Sequence, residues 1–350
     1  MKIVVLAGGL STERTVSLVT GSGVCRALRA NGHRAILVDM FLGLEEVPAD
    51  LDTLFDAPDG LCPDASITVQ APDLEAVKKS RKDQSPSRLG PHVLELCTAA
   101  DLVFLGLHGQ DGEDGRIQAT LDLLGVPYTG SGPLGSAMAM DKAVAKRIME
   151  SAGILTPRWR EITYTAADVP ALVQELPVPC VVKAVDGGSS IGVSLPDTRE
   201  QLEQALYDVL RYGHRIVVEE KIVGREFTQP VLGGDYLSTI QIVPPEGSTF
   251  DYVAKYQSGA AAARELCPAP CTEEEHRLLG ETALKLHHAL GLSVYSRADF
   301  ILDAEGRPWC LEVNTLPGMT PNSLIPKAAK VAGMTYQELC EKIVSLSLAK

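Results

Sequence analysis

Residues 296–320, SRADFILDAEGRPWCLEVNTLPGMT, constrain the fold more than any other stretch. Arg297–Leu302 reads as one strand and Pro308–Asn314 as its partner. Glu305-Gly306 between them predicts a two-residue hairpin turn, since Gly supplies the positive φ such turns require. That turn sets Asp299 opposite Glu312 and Arg297 opposite Asn314. Side chains alternate along a strand, so all four share one face.

The face carries an electrostatic conflict. Phe300, Leu302, Leu311 and Val313 flank it and predict partial burial. Like charges directly opposite one another destabilise a strand pair, and a desolvated pair raises at least one pKa. A divalent cation removes the conflict. Asp299, Glu312 and the amide oxygen of Asn314 make an all-oxygen set suited to Mg²⁺ or Mn²⁺, with phosphate completing the shell. The alternative is a solvated hairpin whose acids face water.

At 350 residues the chain has room for two or three domains with real cores. Apolar residues at 45% and charged ones at 22% fit an ordinary α/β enzyme. A net charge of -13 argues against nucleic acid or an anionic membrane as partner. The eight cysteines form no CxxC pair and read as reduced thiols. Cys267 and Cys271 resemble half a metal site with no second half. MKIVVLAGG lacks the apolar core of a signal peptide, and no stretch is long and apolar enough to span a membrane. These features predict a cytoplasmic protein.

Lys2–Leu6 predicts a buried strand ending in Gly8-Gly9, followed by a helix from about Thr15 to Ala30 and a strand over Ala35–Met40. This order opens a doubly wound parallel sheet, whose ligands sit beyond the strand C-termini. The GxGxxG fingerprint is absent. Glu13 reads either as a ligand or as an acid complementing the helix dipole. Residues 43–92 read as a peripheral insertion. A strand over Asp101–Leu107 ends in HGQDGEDG (108–115), a shaped acidic loop over the sheet crevice; a helix and a short strand, Val126–Thr129, follow. Cys180–Val185 predicts a strand bearing Lys183 that runs into GGSSIG (187–192), a hairpin suited to laying backbone N–H groups over phosphates. Glu219, Glu220 and Glu226 read, taken alone, as ordinary surface charges, and they also fit a hinge where an adenosine would lie. Strands over Leu237–Val243 and Tyr252–Tyr256 precede residues 257–270, which read as a lid with Lys255 and Tyr256 at its root.

GGLSTERTVSL (8–18), HGQDGEDG, PYTGSG (127–132), MDK (140–142), GGSSIG, AKY (254–256), SRADFILD (296–303) and EVNTLPGMT (312–320) together resemble the D-alanine–D-alanine ligases of the ATP-grasp superfamily. The likeness covers nearly everything outside 43–92. It implies a three-domain α/β architecture: a Rossmann-like substrate domain over 1–130, a central domain over 131–220 and a C-terminal domain over 221–350. Nucleotide would lie between the last two.

The resemblance also implies roles. Asp299, Glu312 and Asn314 correspond to ligands of two Mg²⁺ or Mn²⁺ ions. Lys142, Lys183 and Lys255 fall on the ATP phosphates, and Glu219, Glu220 and Glu226 on the adenosine. Glu13 matches the acid holding the first D-alanine's ammonium, with Ser189 and Tyr256 as its hydrogen-bonded partners and His108 nearby. Arg297 and the Gly318 N–H face the reacting carboxyl, and Ser323 with Leu324 forms the second substrate's pocket. A homodimer is implied. Asn322 departs from the family, which commonly has His there. Tyr256 favours an amine over a hydroxy acid as second substrate. Rival readings are another ATP-grasp ligase, D-serine as second substrate, or a nucleotide-binding protein without catalysis.

Overall fold

The computed structural model describes residues 1–63, 72–187, 192–244 and 263–350. Their strands form three sheets, and the mixed α/β architecture agrees with the expected class. In the first sheet β1 (Lys2–Ala7), β2 (Arg34–Asp39) and β3 (Leu102–Leu105) run parallel in the order β2-β1-β3. Ile3 to Ala7 are all fully buried, as a strand covered on both faces requires. Helix α1 (Arg14–Ala30) packs its Val24, Ala27 and Leu28 onto this sheet. The strand expected at Val126–Thr129 is only a bridge, Val103 to Tyr128. Pro127 has no N–H to extend a ladder, although its carbonyl accepts from Val103 N at 2.8 Å.

The excursion over 43–92 is less peripheral than its composition implied. α2 (Asp52–Phe55) drives Phe55 into the first sheet's core. α3 (Leu74–Ser80) follows with Asp73 as cap, then α4 (Val93–Ala99) returns to the core through Val93, Leu96 and Cys97. α5 (Arg116–Leu124) completes the layer.

β4 (Trp159–Thr163), β5 (Cys180–Ala184), β6 (Val193–Ser194) and β7 (Arg215–Glu220) form an antiparallel sheet in the order β4-β7-β5-β6. α8 (Val169–Glu175) and α9 (Arg199–Val209) cover one face of it, burying Leu172, Leu202 and Leu206. Before it come α6 (Pro133–Met140) and α7 (Lys142–Ser151), whose Ala139, Ala145 and Met149 join the core of the third sheet instead.

That third sheet contains β8 (Arg225–Leu232), β9 (Asp235–Tyr236), β10 (Ile240–Val243), β11 (Arg264–Leu266), β12 (Tyr295–Leu302) and β13 (Pro308–Asn314). Its order is β11-β10-β8-β12-β13, with β9 beside β8. α10 (Glu273–Ala289) starts at a capping box of Thr272 and Glu275 and buries Leu279, Ala283 and Leu286 against Phe227 and Phe300. α11 (Leu324–Val331) and α12 (Tyr336–Leu348) end the chain. Leu339, Ile343 and Val344 of α12 lie in the first sheet's core, beside α1. Among the described residues no helix is long and apolar enough to cross a membrane.

The β12–β13 hairpin corrects one expectation. There is no two-residue turn at Glu305-Gly306: Leu302 pairs with Pro308, and residues 303–307 form a longer loop. The Asp303 carboxylate organises that loop, accepting from the backbone N–H groups of Glu305 and Arg307 and from Trp309 Nε1 at 2.7 Å. In that register Asp299 would oppose Leu311. The ladder instead shifts between Phe300, paired with Cys310, and Asp299, paired with Glu312. The unpaired Leu311 is a bulge, and it turns Glu312 onto the face of Asp299. The expected pairing is present, reached by a different route.

Candidate active site

A cavity of about 340 Å³ lies between the second and third sheets. Val181, Val193, Leu195, Ile222, Ile301 and Leu311 give it apolar walls. Lys142, Lys183, Asp299 and Glu312 line its polar end. Val181 and Lys183 share a face of β5 by alternation, and Ile301 and Asp299 do so on β12. Glu219, Glu220 and Glu226 also line the cavity.

The lysines are held by specific partners. Lys142 opens α7 just after Asp141, whose side chain caps the helix. Its Nζ donates to Gly187 O and stands 3.6 Å from Glu312 Oε2. Lys183 donates to Glu219 Oε2 at 2.9 Å. Lys146, one turn along α7 and fully buried, reaches Glu219 Oε1 at 3.1 Å and Thr156 Oγ1 at 2.6 Å. The structure therefore places the Glu219 carboxylate under two lysines, at the cavity floor. Burial works against its charge, but Lys183 and Lys146 outweigh that and hold its pKa down. Burial likewise opposes the Lys183 charge, and Glu219 and Glu312 raise its pKa above the usual range. Glu220 binds Arg158 through its backbone N–H and its Nε, both at 2.9 Å.

Asp299 and Glu312 are neutralised by the chain itself. Arg297 grips Asp299 with Nε and Nη2, each at 3.0 Å, and Thr228 donates its hydroxyl to Oδ1. Asn314 Nδ2 lies 3.4 Å from Asp299 Oδ2. The opposed carboxylates therefore do not by themselves require a metal, which corrects the charge argument made from the sequence. Among the described residues no group of three or more His, Cys, Asp and Glu side chains is gathered to hold an ion. The donors present, two carboxylates and one amide on one face beside two lysines, fit a hard dication that draws the rest of its shell from phosphate.

A second, smaller chamber of about 30 Å³ adjoins the first and shares Lys142, Gly187 and Glu312 with it. Glu13, Glu113, Asn314 and Thr315 supply further polar groups to its lining, beside Ala139, Met140 and Val313. Glu13 is the N-cap residue of α1 and is buried, without a capping hydrogen bond from its side chain. Its Oε2 lies so near Gly109 that a Cβ there would sit 3.1 Å away. Gly109 also has φ +68, so both its conformation and its neighbour require glycine.

Glu113 was not singled out from the sequence, though its place between the glycines of HGQDGEDG was the available signal. It accepts from Gly109 N at 2.8 Å and Leu316 N at 3.0 Å. Burial, with the Glu13 charge adding to it, pushes its pKa up to about 7. His108 completes a clamp on the same residue, Leu316: its Nδ1 lies 2.9 Å from Leu316 O, and its Nε2 lies 3.0 Å from Thr20 Oγ1. Burial lowers the His108 pKa and keeps the ring neutral. With Nδ1–H donating to the carbonyl, Nε2 is left to accept from Thr20. Lys146 and Thr228 are two further contributors that no local pattern marked.

The turn after β13 follows from this clamp. Gly318 passes so close to Ser323 that a Cβ would meet its Oγ at 2.9 Å. Ser323 Oγ accepts from Thr320 N at 3.1 Å, and the residue is the N-cap of α11, with Leu324 first in the helix. Opening amides of a helix have no intrahelical acceptor and suit a carboxylate. The excursion reaches the site too: Arg88 Nε donates to Asp111 Oδ2 at 2.7 Å, and Arg116 Nη1 to Oδ1 at 2.9 Å. Asp111 has φ +67, so these pairs hold an unfavourable backbone in the HGQDGEDG loop. Ser189, Lys255, Tyr256, most of GGSSIG, the strand expected at Tyr252–Tyr256 and residues 257–262 of the lid lie outside the described residues.

An apolar slot between two antiparallel sheets, ending in lysines and paired acids and backed by a Rossmann-like sheet, defines an ATP-grasp protein. A family model described as D-ala D-ala ligase N-terminus matches residues 2–131, and one described as D-ala D-ala ligase C-terminus matches residues 148–345. The chain is 40% identical over 345 residues to the D-alanine–D-alanine ligase of Pediococcus pentosaceus, covering 98% of this chain and 97% of that one. It is 39% identical to the D-alanine–D-alanine ligase of Halalkalibacterium halodurans, with both chains covered in full. The crystal structure of D-alanine–D-alanine ligase from Bacillus anthracis complexed with ATP superposes with a TM-score of 0.73 at 29% identity, covering 100% of this chain and 98% of that one. The chain belongs to the D-alanine–D-alanine ligase family.

Proposed function

We propose that this chain is an ATP-dependent ligase that joins two D-alanines into D-alanyl-D-alanine, the dipeptide used in peptidoglycan precursors. The observation that carries the reading is the shared wall of the two chambers: Lys142 and Glu312 line both, so a phosphate in one abuts a carboxylate in the other. The adenine ring lies between the apolar walls, and the phosphates reach Lys142 and Lys183. Glu13 takes the first D-alanine's ammonium in the small chamber. Its carboxylate attacks the γ-phosphate, giving an acyl phosphate and ADP. The second D-alanine's free amine then attacks the acyl carbon, and phosphate leaves.

Phosphoryl transfer is dominated by positioning and charge neutralisation. Asp299, Glu312 and Asn314 would hold Mg²⁺ or Mn²⁺, which when bound neutralises phosphate charge. Metal and nucleotide would compete with Arg297 for Asp299, leaving the guanidinium to turn toward the reacting carboxyl. The Gly318 N–H, in the turn clamped by Glu113 and His108, is the second donor there. The N-terminus of α11, with Ser323 and Leu324, takes the second carboxylate. A cytoplasmic location, a homodimer and domains over 1–130, 131–220 and 221–350 complete the proposal. The test is phosphate release from ATP with purified protein. Release that requires D-alanine and yields the dipeptide supports it; release indifferent to D-alanine removes it. Running D-alanine, D-serine and D-lactate as second substrates fixes the acceptor class.

A further inference from the structure

Apart from the two chambers, the C-terminal part of α1 and the turn after α2 border another, more open pocket of about 520 Å³. Arg26, Arg29, Pro58, Asp59 and Cys62 line it. The turn is pinned in place: Leu37 N donates to Gly60 O at 2.8 Å, and Arg29 donates to Ala35 O, Ala57 O and Pro58 O. Two thiols converge on that same Gly60 carbonyl, Cys25 Sγ at 3.7 Å and Cys62 Sγ at 3.6 Å. Cys25 is fully buried on α1, whereas Cys62 is half-buried at the cavity wall.

We propose that Cys62 and Cys25 form a peroxide-reactive dithiol, with Cys62 as the attacking thiol, Cys25 as the resolving one, and a disulfide from α1 to the 57–63 turn as product. Sharing the Gly60 carbonyl holds the two sulfurs near each other, and exposure sets their order: Cys62 is reachable from the cavity and Cys25 is not. The neighbouring Cys25 lowers the Cys62 pKa, burial opposes this, and Arg26 and Arg29 lower it further, with Asp59 acting against them. Cys25 is raised by its neighbour Cys62 and by burial. A partly exposed, low-pKa sulfur beside cations and a neighbouring thiol is the arrangement that peroxide oxidation selects.

The chemistry balances. The Cys62 thiolate attacks the outer oxygen of a hydroperoxide, the O–O bond breaks, and the departing oxygen takes a proton to leave as water or alcohol. Cys62 is then a sulfenic acid. Cys25 loses its proton and attacks the Cys62 sulfur; the S–O bond breaks and hydroxide leaves as water with that proton. Two thiols are oxidised by two electrons and one hydroperoxide is reduced.

The test is brief exposure of the reduced full chain to one equivalent of hydrogen peroxide, followed by non-reducing peptide mapping. We expect a cross-linked Cys25–Cys62 peptide, lighter by two hydrogens, formed about tenfold faster than any oxidation at Cys267 or Cys271, which are half-buried like Cys62. In Cys25→Ser, dimedone should trap a sulfenic acid at Cys62, and in Cys62→Ser position 25 should stay unmodified. Oxidation first at Cys267 or Cys271, or a native chain that gains oxygen at Cys62 without the cross-link, overturns the proposal. The mapping of the native chain needs no variant to fold.

Discussion

Asp299 stands across from Glu312 because Leu311 has no partner. One bulged residue converts a hairpin whose acids would face opposite ways into one whose acids share a cleft. The pair is then held by Arg297 on one side and Lys142 on the other.

Glu312→Gln tests what that geometry is for. Removing one carboxylate relieves repulsion with Asp299, so melting should be unchanged or slightly higher. Turnover should fall by on the order of 10²–10³, the loss typical of one electrostatic group acting on the transition state. Near wild-type turnover in the D-alanine-dependent phosphate assay would show that Glu312 has no part in the chemistry.

Beneath the lysines, the buried carboxylate of Glu219 lies between Lys183 and Lys146. Glu219→Gln removes the counter-charge of buried Lys146, leaves Lys183 only Glu312, and should cost about 3–5 kcal/mol. Lys146→Met should cost less, since Glu219 keeps Lys183. Urea unfolding of both variants decides it; equal losses would mean the triad is not coupled.

Glu113→Gln swaps an acceptor of two N–H groups for a side chain with one oxygen and one amide. One of Gly109 N and Leu316 N then faces a donor. The turn carrying Gly318 should loosen, lowering kcat roughly tenfold or more, the equivalent of one charged hydrogen bond. The KM for ATP should not move, because Glu113 does not line the nucleotide cavity.

His287, buried with Nδ1 2.7 Å from Ser296 Oγ, has its pKa lowered to about 4 by burial and by the His288 charge. The unfolded chain binds a proton at this residue near pH 6.5 and the folded chain does not. Its contribution is intact above pH 6.5 and is lost as the pH falls to 4, about 3 kcal/mol in all. Denaturation at a series of pH values should show this slope, and His287→Gln should flatten it.

Much of this was legible in the residues. The apolar run of β1, the Gly-capped end of α1 and the boundaries of β13 follow from local pattern, as does the α/β class. The hairpin register was legible only in part: Gly306 does have a positive φ, but no hairpin rule places the bulge at Leu311. Glu219 looked like a surface acid because its two lysines come from positions 146 and 183. Phe55 and Arg88 were hidden in a segment whose composition is that of a loop, since a single buried ring or one ion pair leaves no periodic trace.

The packing of α12 against α1 bears on how the protein is made. Asn31 Nδ2 donates to Gln337 O at 3.0 Å, and His33 meets Glu341 at 2.8 Å. A nascent chain emerging from the ribosome has already released the parallel strands while the helix that seals them is still being synthesised. The apolar flank of α1 stays uncovered for most of translation, and the nucleotide-binding sheets are free to form before the amino-terminal layer is finished.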